Sequence, residues 1–186
     1  MLERAGIPLE RTREPGGSAG AEAIRTLLLE GASERWDAVS EVLLFYAARR
    51  DHVEKLIRPA LDRSVWVICD RFTDSTIAYQ GYGRGLPIDD LRALHRFVLG
   101  DFAPDLTLIL DLPVSEGLAR AARRAASADR FERLDEPFHE RLREGFRNIA
   151  AAEPQRCVLI DAAGDPDSVH RAALAAVSAR LGVALS

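Results

Sequence analysis

Asp70 and Arg71 stand side by side where an apolar run, Val65–Cys69, ends. An aspartate in that position can hold Mg2+ through water or orient a phosphoryl acceptor, and an adjacent arginine suits bidentate contact with a phosphate. The same two residues could instead form a structural ion pair, or Asp70 could cap a helix. Ser75, Thr76, Tyr79 and Gln80 follow closely. Thr76, Tyr79 and Gln80 are spaced to share one helical face, with Ser75 beside it.

Other stretches carry related chemistry. In TREPGGS, residues 12–18, Pro15 fixes one dihedral while Gly16 and Gly17 let the backbone turn and approach a ligand. As an ordinary strand-to-helix turn it would leave Arg13 and Glu14 solvated. FYAARR, residues 45–50, places Phe45 and Arg49 at i and i+4 on one helix face. A ring beside a guanidinium can stack on a flat base and hydrogen-bond its edge; equally, the pair could be a core phenylalanine and a surface arginine. ARAARRAASADRFER, residues 119–133, holds Arg120, Arg123, Arg124, Arg130 and Arg133 among small residues. That composition suits a cationic flap that closes over phosphates, or a solvated helix and loop.

The elements that must position these residues follow from hydrophobic patterning. Val65–Cys69, Leu106–Leu110 and Cys157–Ile160 read as strands, with Ile7–Arg11 a weaker one before TREPGG. An apolar run rich in β-branched residues is expected to be a buried strand of a parallel sheet, and ligands bind at the carboxyl ends of such strands. Helical periodicity covers Ala19–Glu30, Asp37–Leu61, Pro87–Leu99, Val114–Ala126, Pro137–Ala152 and Pro166–Leu181, with Pro59 expected to kink or close the second. Strands alternating with such helices imply an α/β fold with a parallel sheet covered on both faces.

Composition sets outer limits. The 186 residues suffice for one domain, and 47% apolar with 29% charged residues favours a globular chain. A formal net charge of −4 argues against a broad nucleic-acid or membrane surface. No apolar run approaches the roughly 20 residues of a membrane span, and the N-terminus lacks the apolar segment of a secretory signal. Cys69 and Cys157 lie far apart in strand-like runs without metal-ligand spacing, so both are expected to be buried, reduced thiols of a cytoplasmic protein.

The order of the motifs is more specific than any one of them. TREPGG, a helix with F-x-x-x-R, a strand running into DRFTDSTIAYQGYGRG, and an Arg-rich segment with DRFE together resemble bacterial thymidylate kinases, from about Ile7 to the end of the chain. The resemblance implies a P-loop NTPase-like, three-layer fold and transfer of the γ-phosphoryl group of ATP to dTMP with Mg2+. It implies that Phe45 stacks on thymine, that Arg49 bonds the base edge, and that Arg71 binds the dTMP phosphate with Asp70 near the metal. Ser75, Thr76, Tyr79 and Gln80 then line base and deoxyribose, and Arg13, Glu14, Pro15, Gly16 and Gly17 form the loop beside the acceptor phosphate. Residues 117–135 match the lid, with Arg120, Arg123, Arg124 and Arg130 as candidates for the catalytic positive charge. A homodimer through helices such as 37–61 is implied as well.

One part of the family pattern is not found. No GxxxxGK[ST] occurs in the sequence, and Lys55 is its only lysine. GGSAGAE, residues 16–22, has neither the lysine nor the spacing. The chain is therefore expected to be an incomplete copy lacking the first strand and P-loop, whose absence would leave neighbouring strands with unpaired edges. Alternative expectations are a non-catalytic dTMP-binding module, a structural dimer partner, or another deoxynucleoside or nucleotide kinase.

Overall fold

The computed structural model describes residues 2–32, 34–123, 131 and 134–185. After a short 3-10 turn come β1 (Leu9–Arg13), α1 (Ala19–Leu29) and α2 (Ala38–His52), which runs through a π-helical turn at Val53–Ile57 into α3 (Arg58–Asp62). Then follow β2 (Trp66–Asp70), α4 (Thr73–Thr76) widening into a π turn at Ile77–Gly83, α5 (Ile88–Leu99) and β3 (Thr107–Asp111). The chain finishes with α6 (Val114–Arg123), α7 (Glu136–Ala152), β4 (Cys157–Asp161) and α8 (Pro166–Leu181).

Side-chain oxygens define several helix starts. Ser18 accepts from the Ala21 amide, Asp37 from Val39 and Ser40, Asp135 from Phe138, and Asp165 from Asp167 and Ser168. Pro59 neither breaks nor ends the second helical stretch. It falls in the first turn of α3, where a missing amide is tolerated, and the π turn ahead of it absorbs the mismatch.

The α/β class with parallel pairing matches the sequence patterning; the single sheet buried on both faces does not. Among the described residues the strands form two separate parallel pairs, β1 with β2 and β3 with β4. Each of these strands has one hydrogen-bonded neighbour, and some apolar side chains on the strand faces stay accessible. Ile68 is 48% exposed and Leu110 57%. Between the halves runs a polar tie. Arg156, just before β4, donates to both Asp74 oxygens at 2.8 and 2.7 Å, and Thr107 of β3 donates to the same carboxylate at 2.8 Å. The Asp74 carboxylate pushes the Arg156 pKa above its already high ordinary value.

The apolar core is divided accordingly. One cluster joins Ala78, Ile109, Phe138, Leu142, Ile149 and Cys157; a second joins Val53, Ile57, Phe72 and Leu99; a third joins Val42, Tyr46 and Leu91. Cys157 is buried as expected, and burial pushes its thiol up to about 11. Cys69 is only half-buried, packed against the edge of the second cluster. No helix of the described residues is long and apolar enough to cross a membrane.

Candidate functional site

Strand pairing brings the two leading motifs together. The β1–β2 register sets Arg13 opposite Asp70, and the Glu14 amide donates to the Asp70 carbonyl at 2.9 Å. The TREPGG turn and the Asp70–Arg71 corner therefore leave one edge side by side. An open cleft with a cavity volume of about 110 Å3 lies there, lined by Arg13, Glu14 and Pro15, by Phe45 and Arg49 of α2, by Asp70, Arg71 and Phe72, and by Ser75, Thr76, Tyr79 and Gln80. Of the turn glycines, Gly16 and Gly17 stand behind the lining instead of on it.

The strongest feature of the cleft is a buried charge network. The Arg49 Nε donates to Glu14 Oε2 at 2.6 Å, and its Nη2 donates to Thr76 Oγ1 at 3.0 Å. Both side chains of the ion pair are almost wholly buried, at 2% and 3% exposed. The spacing alternatives of a surface arginine and a solvated Glu14 thus do not hold. Each charge is out of water because the other lies beside it. The guanidinium also sits over the Tyr46 and Phe72 rings, with 4.9 and 5.3 Å to their centroids. Arg49 Nη1 is buried and has no hydrogen-bond partner among the described residues. Buried donors are rarely left so, and a water or a ligand can supply the acceptor.

Glu14 is held from its other side. Its Oε1 meets the His52 Nδ1 at 3.1 Å, and the His52 Nε2 meets the Thr12 hydroxyl at 2.7 Å. His52 carries no motif signature in the sequence. Its one signal was position: Phe45, Arg49 and His52 fall at i, i+4 and i+7, on one helix face.

Arg71 adopts a left-handed backbone, φ 68°, and its guanidinium lies 5.1 Å from the Tyr79 ring centroid. A non-glycine residue in that region is uncommon and recurs at functional sites. Asp70 is exposed at the cleft margin. Among the described residues no cluster of three His, Cys, Asp or Glu side chains could hold a metal ion. Arg13 pairs with Glu22 at 3.1 Å, and Arg25 donates to the Pro15 carbonyl at 2.6 Å.

Four lining residues escaped the sequence reading: Arg25, Leu29, Phe72 and Phe131. Phe131 arrives from the Arg-rich segment and meets Phe45 at 6.1 Å and Tyr79 at 5.6 Å between ring centroids, giving the cleft an aromatic wall. Its only signal was being the one aromatic residue in that Arg- and Ala-rich stretch. Of the arginines proposed for catalysis there, Arg120 donates to the Ala162 carbonyl at 3.1 Å and Arg123 is exposed; neither lines the cleft. Arg124 and Arg130, with Arg133, lie outside the described residues.

Comparison with known proteins gives the family of the chain. The profile of a family described as Thymidylate kinase matches residues 1–173. A thymidylate kinase of Caulobacter vibrioides is 55% identical over 182 residues, covering 98% of this chain and 87% of that protein. One of Bradyrhizobium sp. (strain ORS 278) is 52% identical over 187 residues, covering 100% of this chain and 83% of that protein. Among solved structures, the thymidylate kinase from Ehrlichia chaffeensis superposes with a TM-score of 0.75 at 35% identity, covering 95% of this chain and 85% of that one.

Proposed function

The chain belongs to the thymidylate kinase family, a group of nucleoside monophosphate kinases, and on that footing we propose that its cleft seats dTMP as the acceptor of a phosphoryl group from ATP. The observation that carries this reading is Arg49. Its guanidinium lines the cleft beside Phe45, is anchored through Nε and Nη2, and keeps Nη1 for a ligand. Thymine presents edge carbonyls that accept from such a donor and a flat face for Phe45. At the other end Arg13, Arg25 and Arg71 make the cleft cationic, as a dianionic 5′-phosphate requires. Ser75, Thr76, Tyr79 and Gln80 lie between, beside the sugar.

Asp70 fits a Mg2+ site of the usual kind, in which one or two carboxylates act with water and substrate phosphates. Bound there, the ion would neutralise charge on those phosphates. The residues present do not fit the β- and γ-phosphates of ATP. The sequence has no GxxxxGK[ST], and its one lysine, Lys55, lies in the π turn and pairs with Asp51. A second reading therefore accompanies the first: residues 1–186 supply the acceptor half, and bind dTMP without transferring phosphate unless a donor loop comes from polypeptide beyond them. The two separate strand pairs, with Ile68 and Leu110 exposed, support it.

Titration calorimetry with dTMP, beside a coupled assay of ADP release with ATP, tests both readings. Binding with turnover supports the complete enzyme, and binding without turnover supports the acceptor half. Absence of dTMP binding refutes both. We further propose that copies of the chain pair through α2 and α5, where Val39, Leu43 and Phe97 are 54%, 52% and 88% exposed. Sedimentation equilibrium checks this, and a monomer at micromolar concentration refutes it. A cytoplasmic location, consistent with two free thiols, belongs to the same reading.

A further inference from the structure

We infer that His52 is a positioning residue for base selection: it sets the direction in which Arg49 presents its unused Nη1. The inference rests on the acceptor reading given above.

A carboxylate has two oxygens, and a guanidinium offers several ways to meet them. Glu14 uses only Oε2 for Arg49, because Oε1 is taken by the His52 Nδ1. A carboxylate only accepts, so Nδ1 carries the hydrogen. In the neutral ring Nε2 then accepts from the Thr12 hydroxyl at 2.7 Å, which fixes the ring plane. His52 is wholly buried, and the ring fills a space that only a glycine at position 17 leaves open. A Cβ on Gly17 would lie 2.4 Å from Nε2 and 2.5 Å from the Thr12 hydroxyl. Gly17 stands off the cleft lining; its φ of 88° and the room for this ring both call for glycine there.

The result is a chain of contacts from Thr12 through His52 and Glu14 to Arg49, ending on Thr76. Without His52 the carboxylate is free to turn and take two guanidinium nitrogens. That arrangement draws on the donors that now serve Thr76 and the ligand. His52 lies behind Glu14, does not line the cleft, and acts only through Arg49. Its effect therefore falls on the base edge. A donor at this place favours thymine, whose O4 accepts, over cytosine, whose N4 donates.

The test is calorimetric binding of dTMP and dCMP to the chain and to H52L and H52N, with thermal melts to establish folding. H52L keeps the bulk and removes both ring nitrogens. It is expected to weaken dTMP binding about tenfold or more, the weight of one hydrogen bond to a charged group, while dCMP binding changes little, so that the dTMP:dCMP ratio falls. In H52N the amide nitrogen stands where Nδ1 stood, and the ratio is expected to be largely restored. An unchanged ratio in H52L, or equal losses for both nucleotides, would overturn the inference and leave the acceptor reading intact. Failure of the unaltered chain to bind dTMP would overturn both. Should H52L not fold, T12V carries the test: releasing the ring must lower the ratio, and an unchanged ratio overturns the inference.

Discussion

Arg49 and Glu14, thirty-five positions apart on α2 and the turn after β1, meet at 2.6 Å as an ion pair almost wholly withdrawn from water. Neither charge is tolerable there alone. Their juxtaposition ties the strand-end turn to the helix and fixes the guanidinium beneath the cleft.

Removing half of that pair should therefore be costly. Glu14→Gln keeps the size and leaves Arg49 charged and unmatched, and a loss of about 3–5 kcal/mol in unfolding free energy is expected. Urea denaturation measures it. E14Q combined with Arg49→Met should recover part of the loss, since no buried charge remains. A double variant as unstable as the sum of its parts contradicts the pairing.

Arg71 belongs to the phosphate end. Arg71→Ala should weaken dTMP at least tenfold, as expected for a lost charge-assisted contact, and leave thymidine binding nearly unchanged. Calorimetry with the two ligands reads the difference. Equal losses would point to a nucleoside acceptor instead.

Phe45 is half-buried and faces Phe131 across the cleft. Phe45→Ala should cost about 1–3 kcal/mol in dTMP binding, the usual weight of a base stacked on an aromatic side chain. Because the side chain already has one open face, the melting temperature should change far less than in E14Q. A large drop in stability with unchanged dTMP affinity would make Phe45 a core residue.

Asp111 supplies a pH dependence. Arg143 donates to its two oxygens at 2.7 and 3.0 Å, and Arg147 adds a contact at 3.2 Å. The hydrogen bonds from Arg143 hold its carboxyl below the ordinary 3.8, burial opposing them. A depressed folded pKa stabilises the native state above the unfolded value, and that contribution disappears as pH falls through the folded value. Denaturation midpoints taken from pH 5 downward should fall more steeply for the unaltered chain than for Asp111→Asn. Parallel curves would remove Asp111 from the acid response.

Local pattern carried the elements. β2 begins and ends one residue later than the apolar run Val65–Cys69, and β1 starts two residues after Ile7, because strand signals blur at their ends. Phe45, Arg49, Arg71 and Tyr79 were singled out as candidates by the order of the motifs that carry them; spacing on a helix or at a strand end, a short-range property, left the core and surface alternatives open. The π turn ahead of Pro59, which places the proline in the first turn of α3, has no signal in the sequence.

By itself, then, the sequence determined the helices and strands, the two motifs and the family to which they belong, all of which depend on neighbours along the chain. Tertiary structure decided the rest. The β1–β2 register set Arg13 against Asp70, and packing of α2 on the turn buried Glu14 with Arg49 and His52. Phe131 came to face Phe45 from a distant segment, and the strands paired as two separate couples. These are contacts between residues tens of positions apart. Their energy comes from desolvation and pairing that exist only once both partners are in place, so periodicity along the chain can put residues on one face but cannot name the partner they meet.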